Sequence, residues 1–500
     1  MTVAVNLNPH HGRAGRHPTR AQLDHLSGHD DPGSFGRMFP GLPGLHVDDD
    51  KLMALAEAMM DDGGQTDDNK AIPTGFTYLG QFVDHDITLD LTSLGDKMRD
   101  PTAVRNFRSP ALDLDSVYGR GPDGNPHLYA RDPATGQPTP KLLIGRNITV
   151  GFGNVTGEFR NDLPRSPEGQ ALIGDHRNDE NLIVAQTHLA FLKFHNKVVD
   201  LLAAQGVEGR ALFQEARQIV TWHYQWIVLH DYLDRLAGPG AAERILHDGR
   251  KFYRFKKMPY MPVEFSGAAY RLGHSMVRQD YDYNRVFPNA TFDLLFGFTG
   301  LSGRILGELA PEPPPAAPLP VSHLPSNWII DWRRFYEIEA GRIPQASRKL
   351  DPMLAEELHR LPGGGGNLAF RNLRRGVQMG LPSGQMAAEA MGIANRITAD
   401  EIATGPDGAL AAQHGLHTQT PLWYYILKEA QVKSGGTRLG PVGATIVAEV
   451  LVGLVHGDHQ SYLWQRGPGW KPTLPSAQPG DFTMADLLRL VDDINPIGDG

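Results

Sequence analysis

The chain has no cysteine among its 500 residues. That excludes disulfide scaffolds, thiolate zinc sites, iron–sulfur clusters and cysteine nucleophiles. It does not decide the compartment, because a cysteine-free protein tolerates either redox state. Positive charge is also scarce: 48 lysines and arginines face 57 acids, for a formal net charge of −9. No basic stripe gathers them, so nucleic acid is not an expected partner. Long apolar runs are missing too. The longest, over residues 446–455, contains Glu449 and is too short to cross a bilayer. Residues 1–20 have no apolar stretch of the secretory type, so no ordinary signal peptide is read there. On that reading the protein is cytoplasmic or leaves the cell by a non-standard route.

Several catalytic signatures are absent. There is no G-x-S-x-G elbow, no G-x-x-x-x-G-K phosphate loop and no H-E-x-x-H zinc pair. One G-x-G-x-x-G occurs, from Gly119 to Gly124. Asn125 and Pro126 follow it where a helix should begin, and no βαβ pattern surrounds it, so it reads as a turn.

What is present suits a large folded core. Apolar residues make up 40% of the chain and charged ones 21%. Residues 1–45 are rich in Gly, His, Pro and Asp and read as an extended arm; 46–500 read as the folded domain. Helices are expected over 50–60, 74–91, 181–204, 210–236, 267–277, 367–376, 384–392, 421–432, 440–455 and 484–492. Residues 100–180 read as largely irregular, 309–320 as a Pro-rich connector and 363–366 as a four-glycine turn. The expected fold is mainly α, one large helical domain with long irregular connections and little β.

Five segments carry chemistry. The first is Gln81-Phe82-Val83-Asp84-His85-Asp86, where Phe76, Leu79, Phe82 and Val83 keep helical spacing. Gln81 and His85 are four apart and so share a helix face. Asp84 and Asp86 lie roughly 100° to either side of His85. The second runs from Ser109 to Gly119 and alternates oxygen-bearing positions, Ser109, Asp113 and Asp115 among them; such a loop suits a hard cation like calcium, and Asp86 could complete its shell. The third holds Arg177 and Glu180 just before the 181–204 helix. The fourth is Tyr270-Arg271-Leu272-Gly273-His274, where Gly273 leaves room for a flat ligand near the backbone. The fifth places Asn372 and Arg375 in a helical stretch. Each segment alone also has an ordinary reading, as packed core, helix cap or solvated turn.

Taken together and in this order, the five segments resemble the animal-type haem peroxidases of the peroxidase–cyclooxygenase superfamily, the group of myeloperoxidase, lactoperoxidase and bacterial relatives. The likeness runs from about residue 70 to the C-terminus, where Pro421-Leu-Trp-Tyr-Tyr-Ile and Met484-Ala-Asp-Leu-Leu also look familial. It implies a helical fold around a buried haem, and an oxidoreductase that reduces hydrogen peroxide to water through a ferryl intermediate while oxidising a small anion (iodide, bromide, thiocyanate) or an aromatic donor. By the same resemblance, His85 is the distal acid–base with Gln81 beside it, and Arg177 stabilises charge. Asp84 and Glu180 would form ester bonds to a haem b derivative. His274 would ligate the iron, Asn372 would hold its other nitrogen, and Arg271 and Arg375 would lie near the propionates. Asp86, Ser109, Ala111 (through its carbonyl), Asp113 and Asp115 match the positions that bind one calcium ion.

Two departures from the family pattern narrow the expectation. Asn181 stands where myeloperoxidase has a sulfonium-forming Met, so that third haem link is impossible. Arg271 stands where the prostaglandin synthases carry a radical-forming Tyr, which disfavours the alternative of a fatty-acid dioxygenase. A peroxidase-like adhesion protein without turnover is the other alternative, against which Gln81, His85, Arg177 and His274 all stand.

Overall fold

The computed structural model describes residues 35–61, 68–89, 106, 108–256, 258–297, 323–361 and 365–500. Residues 1–34 of the expected arm, the connector at 309–320 and part of the four-glycine turn lie outside them. The main helices are α1 (Asp49–Ala58), α2 (Gly75–Ile87), α3 (Leu182–Ala204), α4 (Gly209–Trp226), α5 (Leu233–Ala237), α6 (Leu368–Gln378), α7 (Leu422–Ser434), α8 (Pro441–Gly457) and α9 (Met484–Val491). The fold is helical. Sheet among the described residues is confined to four two-stranded pairs. Phe35–Gly36 runs parallel to Met261–Pro262. Asp68–Pro73, Tyr129–Arg131 and Asp280–Tyr281 pair antiparallel with Ala346–Arg348, Pro138–Leu142 and Ala290–Thr291.

One contiguous apolar core runs from Phe35 to Leu488. At its centre α2, α3 and α4 meet through aromatic rings. Phe82 stacks on Phe191 with centroids 4.7 Å apart, and Tyr224 meets both rings edge-on. Burying each such ring stabilises the packing by about 1.5–3 kcal/mol. Helix α3 is buried along most of its length and starts on a cap: Asn181 Oδ1 accepts the N–H of Val184 at 3.0 Å. Gly80 lets α2 approach the helix after α4, because a Cβ there would collide with the Tyr232 hydroxyl.

Buried carboxylates anchor backbone that would otherwise lack partners. Glu429 of α7 accepts the N–H of Val442 in the first turn of α8 at 2.8 Å. Glu449, the charge inside the longest apolar run, accepts three N–H groups from Lys251, Phe252 and Tyr253, each at 2.7 Å. Glu264 takes those of Met38 and Phe39, which holds residues 35–39 against the body.

Three expected elements differ. The 210–236 helix is formed, but Ile227–Tyr232 inside it is a π turn, which joins α4 to α5. Helix α2 stops at Ile87 because Thr88 is extended and its Oγ1 turns back to the Asp84 carbonyl at 2.9 Å. The 267–277 segment is not one helix. A short turn, Val263–Ser266, is broken at Ala268 (φ −139°, ψ −73°), and a 3₁₀ stretch, Ala269–His274, follows. The break places Gly267 so tightly that a Cβ would lie 2.7 Å from Met379 Sδ.

Candidate active site

Helix α2 projects Gln81 and His85 from one face, as their spacing predicts, and both reach Glu180. Gln81 Nε2 donates a short hydrogen bond to Glu180 Oε1. His85 Nε2 lies 3.6 Å from the same oxygen, too far to hydrogen-bond. Asn181 uses both ends of its amide: Oδ1 caps α3 while Nδ2 donates to Gln81 Oε1 at 2.9 Å. Asp84 lies one turn after Gln81, and its Oδ1 accepts from Thr88 Oγ1 at 3.0 Å. Burial pushes the Glu180 carboxyl up to about 7, against the pull of Arg177. Yet 35% of its side-chain surface is accessible. A carboxyl that deep in the fold and that accessible faces an internal cavity.

His85 is buried, and burial together with the charge of Arg177 pushes it down to about 4. Its Nδ1 lies 2.8 Å from Asn178 Oδ1. With Oδ1 on that side the amide accepts Nδ1–H and leaves Nε2 a bare lone pair; turned over, Nδ2 donates to Nδ1 and Nε2 carries the proton. Arg177 is not simply aimed into the cavity. Its Nε donates to Asp175 Oδ1 at 3.1 Å, and its Nη2 to Asp175 Oδ2 at 2.7 Å and to the carbonyls of His85 and Thr88. It thus clamps the C-terminal end of α2, where a cation is favourable, and Nη1 is outside these bonds.

A second histidine wall comes from the 3₁₀ stretch, which packs against α2 and α7. Its His274 is held by Asn372 of α6, whose amide lies 2.7 Å from Nδ1. With Nδ2 on that side, the amide donates to the ring; turned over, Oδ1 accepts Nδ1–H. Burial, then the charges of Arg271 and Arg371, push His274 down to about 3. No described residue hydrogen-bonds to its Nε2, and a Cβ built on the neighbouring Gly273 would meet open space. Arg271 donates from Nε to the Ser266 carbonyl at 2.9 Å, and its own carbonyl accepts Trp423 Nε1 at 3.3 Å. Arg375 is partly buried one turn beyond Asn372. The two histidines therefore share one pattern: an asparagine holds Nδ1, and Nε2 hydrogen-bonds to none of the described residues. A flat iron macrocycle fits such a donor set, with one nitrogen to bind iron and another to move protons.

Next to His85 on α2, Asp86 joins Asp113 and Asp115, and the three place carboxylate oxygens within 4.8 Å of one another. Leu114 between the last two adopts φ +57°, uncommon for a non-glycine residue, and its N–H donates to Asp86 Oδ2 at 3.2 Å. Ser109 Oγ donates to Asp113 Oδ2 at 2.9 Å, and Ala111 lies in the same bend. Burial, then Asp113 and Asp115, raise Asp86 well above the usual carboxylate range, and burial with Asp113 pushes Asp115 up to about 7. Three hard oxygen donors that repel one another fit a divalent cation such as calcium.

Four further residues escape a reading of the sequence. Arg108 joins the acidic loop to the histidine wall: Nη1 donates to Asp115 at 2.9 Å and Nε to Asp175 at 3.0 Å. Burial alone would raise Asp175, but the Arg177 and Arg108 guanidiniums hold it well below the usual range. Asn178 links His85 to His188 of α3, whose Nδ1 lies 2.9 Å from Asn178 Nδ2. The available signals are faint: an Asp two residues before Arg177, and a lone His inside an apolar helix.

A family model described as animal haem peroxidase matches residues 92–468. The chain belongs to the animal haem peroxidase family. The match begins beyond α2, so Gln81, Asp84, His85 and Asp86 join the site through geometry alone. Chorion peroxidase of Drosophila melanogaster is 26% identical over 412 residues, 77% of this chain and 48% of that protein. Thyroid peroxidase of Canis lupus familiaris is 26% identical over 314 residues, 59% of this chain and 30% of that protein. The chain thus spans at most about half the length of these relatives. Peroxidase A of Dictyostelium discoideum overlays with a TM-score of 0.64 at 15% identity, covering 93% of this chain and 94% of that one. A fatty acid alpha-dioxygenase of Arabidopsis thaliana overlays at 0.58, also with 15% identity, covering 93% and 76%. These overlays speak to the helical fold. No helix among the described residues is long and apolar enough to cross a membrane.

Proposed function

We propose that this member of the family is a working peroxidase, reducing hydrogen peroxide to water while oxidising a small anion (iodide, bromide or thiocyanate) or an aromatic donor. The observation that carries the reading is the pair of histidines, each held at Nδ1 by an asparagine with no hydrogen bond from Nε2 to any described residue. Haem bound between them would supply the redox chemistry. His274 Nε2 would hold its iron, with Asn372 turned to accept Nδ1–H. A neutral amide draws less negative charge onto the ring than a carboxylate would. Asp84 and Glu180 would hold the macrocycle through esters, and Arg271 and Arg375 would face its propionates.

His85 Nε2 accepts a proton from one peroxide oxygen and returns it to the other as the leaving water. Its position in the fold keeps the ring neutral and ready to accept. Arg177 would turn Nη1, the guanidinium nitrogen outside its bonds to Asp175 and the end of α2, toward the negative charge that grows as the O–O bond breaks. Calcium held by Asp86, Ser109, Ala111, Asp113 and Asp115 would tie α2 to the acidic loop and limit how far His85 can drift. The test is peroxide-dependent iodide oxidation by haem-loaded protein, run beside oxygen uptake with a long-chain fatty acid. Iodide turnover without fatty-acid oxygenation supports the proposal. The reverse supports the dioxygenase reading, and neither activity supports a non-catalytic role.

A further inference from the structure

We infer that Asn178 and His188 form a relay that sets which ring nitrogen of His85 carries the proton. The inference rests on the reading of His85 as the acid–base group. The chain of contacts is His85 Nδ1 to Asn178 Oδ1 at 2.8 Å, then Asn178 Nδ2 to His188 Nδ1 at 2.9 Å. An amide has one accepting end and one donating end. With Oδ1 toward His85, that ring must be protonated at Nδ1, and Nε2 is bare on the cavity side. With Nδ2 toward His188, His188 must be bare at Nδ1 and protonated at Nε2. Turning the amide over reverses all three assignments and would put a proton on His85 Nε2, where a base needs a lone pair.

His188 closes the far end of the chain: its tautomer must match whichever end of the amide it meets, so the two rings are set together. It is fully buried, its ring meets Phe82 edge-on, and Asn178 is the one hydrogen-bond partner that the described residues offer it. Its Nε2 is buried with no partner. Burial pushes the ring down to about 3, so it stays neutral and must choose one tautomer. An orphaned polar atom in a core is destabilising. A leucine would fill the same place without that cost, so packing alone does not account for a histidine. Both residues are positioning residues: they act through His85.

The test uses haem-loaded wild type, His188→Leu, His188→Gln, Asn178→Leu and, as control, His85→Gln. Two rates are read by stopped flow: reaction with hydrogen peroxide, and association of cyanide, which arrives as HCN and must give up a proton without any turnover. The expected result is that His188→Leu and Asn178→Leu slow both rates together by about tenfold or more. His188→Gln, whose side-chain oxygen can still accept from Asn178 Nδ2, should stay within a few-fold of wild type. Should His188→Leu fail to fold, Asn178→Leu decides by the same rates. Unchanged rates in the Leu variants, or His188→Gln as slow as His188→Leu, would overturn the relay. If His85→Gln itself leaves both rates unchanged, the acid–base reading of His85 fails and the relay falls with it.

Discussion

Replacing His85 by glutamine should leave the fold intact and remove the proton acceptor. Glutamine can reach toward Asn178 and offer an amide oxygen to the cavity, but it cannot take up a proton. Positioned acid–base groups contribute about 10²–10⁴-fold to rate, or about 2.7–5.4 kcal/mol of barrier. The surroundings decide where in that range the loss falls. Glu180 Oε1 lies 3.6 Å from Nε2, and its carboxyl is pushed up to about 7. A free Glu180 could therefore move protons in part, and the loss would stay near 10²-fold. A Glu180 consumed in an ester cannot, and the loss would rise toward 10⁴-fold. The assay is the second-order rate of Soret change on mixing with peroxide, with haem content measured on the same samples. A loss smaller than about tenfold at full haem content would refute the reasoning.

Three further outcomes follow from the packing. Chelating calcium should lower the melting temperature and restoring it should raise it, the ion adding about 2.7 kcal/mol of stability at a hundred times Kd; Asp86→Asn should lose most of this response, and a full response in that variant would count against the acidic site. Arg108→Met removes a cation that is 8% exposed beside an Asp175 side chain that is fully buried but keeps Arg177 as a partner; it should cost about 1.5–3 kcal/mol in denaturant unfolding, and a loss under about 0.5 kcal/mol would mean that the bridge contributes little. Burial pushes Glu429 from its ordinary 4.5 up to about 7, so the folded chain holds a proton there that the unfolded chain has released over that pH window. Its contribution is fully present below about 4.5 and is lost as pH rises through about 7. Glu429→Gln should flatten that part of the curve of melting temperature against pH, and an unchanged slope would contradict it.

The parts of the molecule legible in the sequence are those set by local periodicity. Helix α2 follows from Phe76, Leu79, Phe82 and Val83, and α3 from its apolar run behind the Asn181 cap. Gln81 and His85 meet at Glu180 because a four-residue spacing fixes their common face. The misread parts depend on distant partners. The 267–277 segment has helical composition, but the chain turns at Ala268 to fit Gly267 against Met379. The π turn at Ile227–Tyr232 leaves no compositional mark. Asn178 was invisible because its two histidine partners are far apart in sequence and only the fold joins them. The bonds that Arg177 makes to the carbonyls at the end of α2 likewise depend on the fold bringing two distant segments together.

The most direct measurement is the absorption spectrum of haem-supplied protein before and after hydrogen peroxide, for wild type and His274→Ala. A Soret band that shifts with peroxide in wild type, and is lost or altered in the variant, is the predicted result; it would identify His274 as the iron ligand. A haem band indifferent to peroxide, or one unchanged by His274→Ala, would contradict the account.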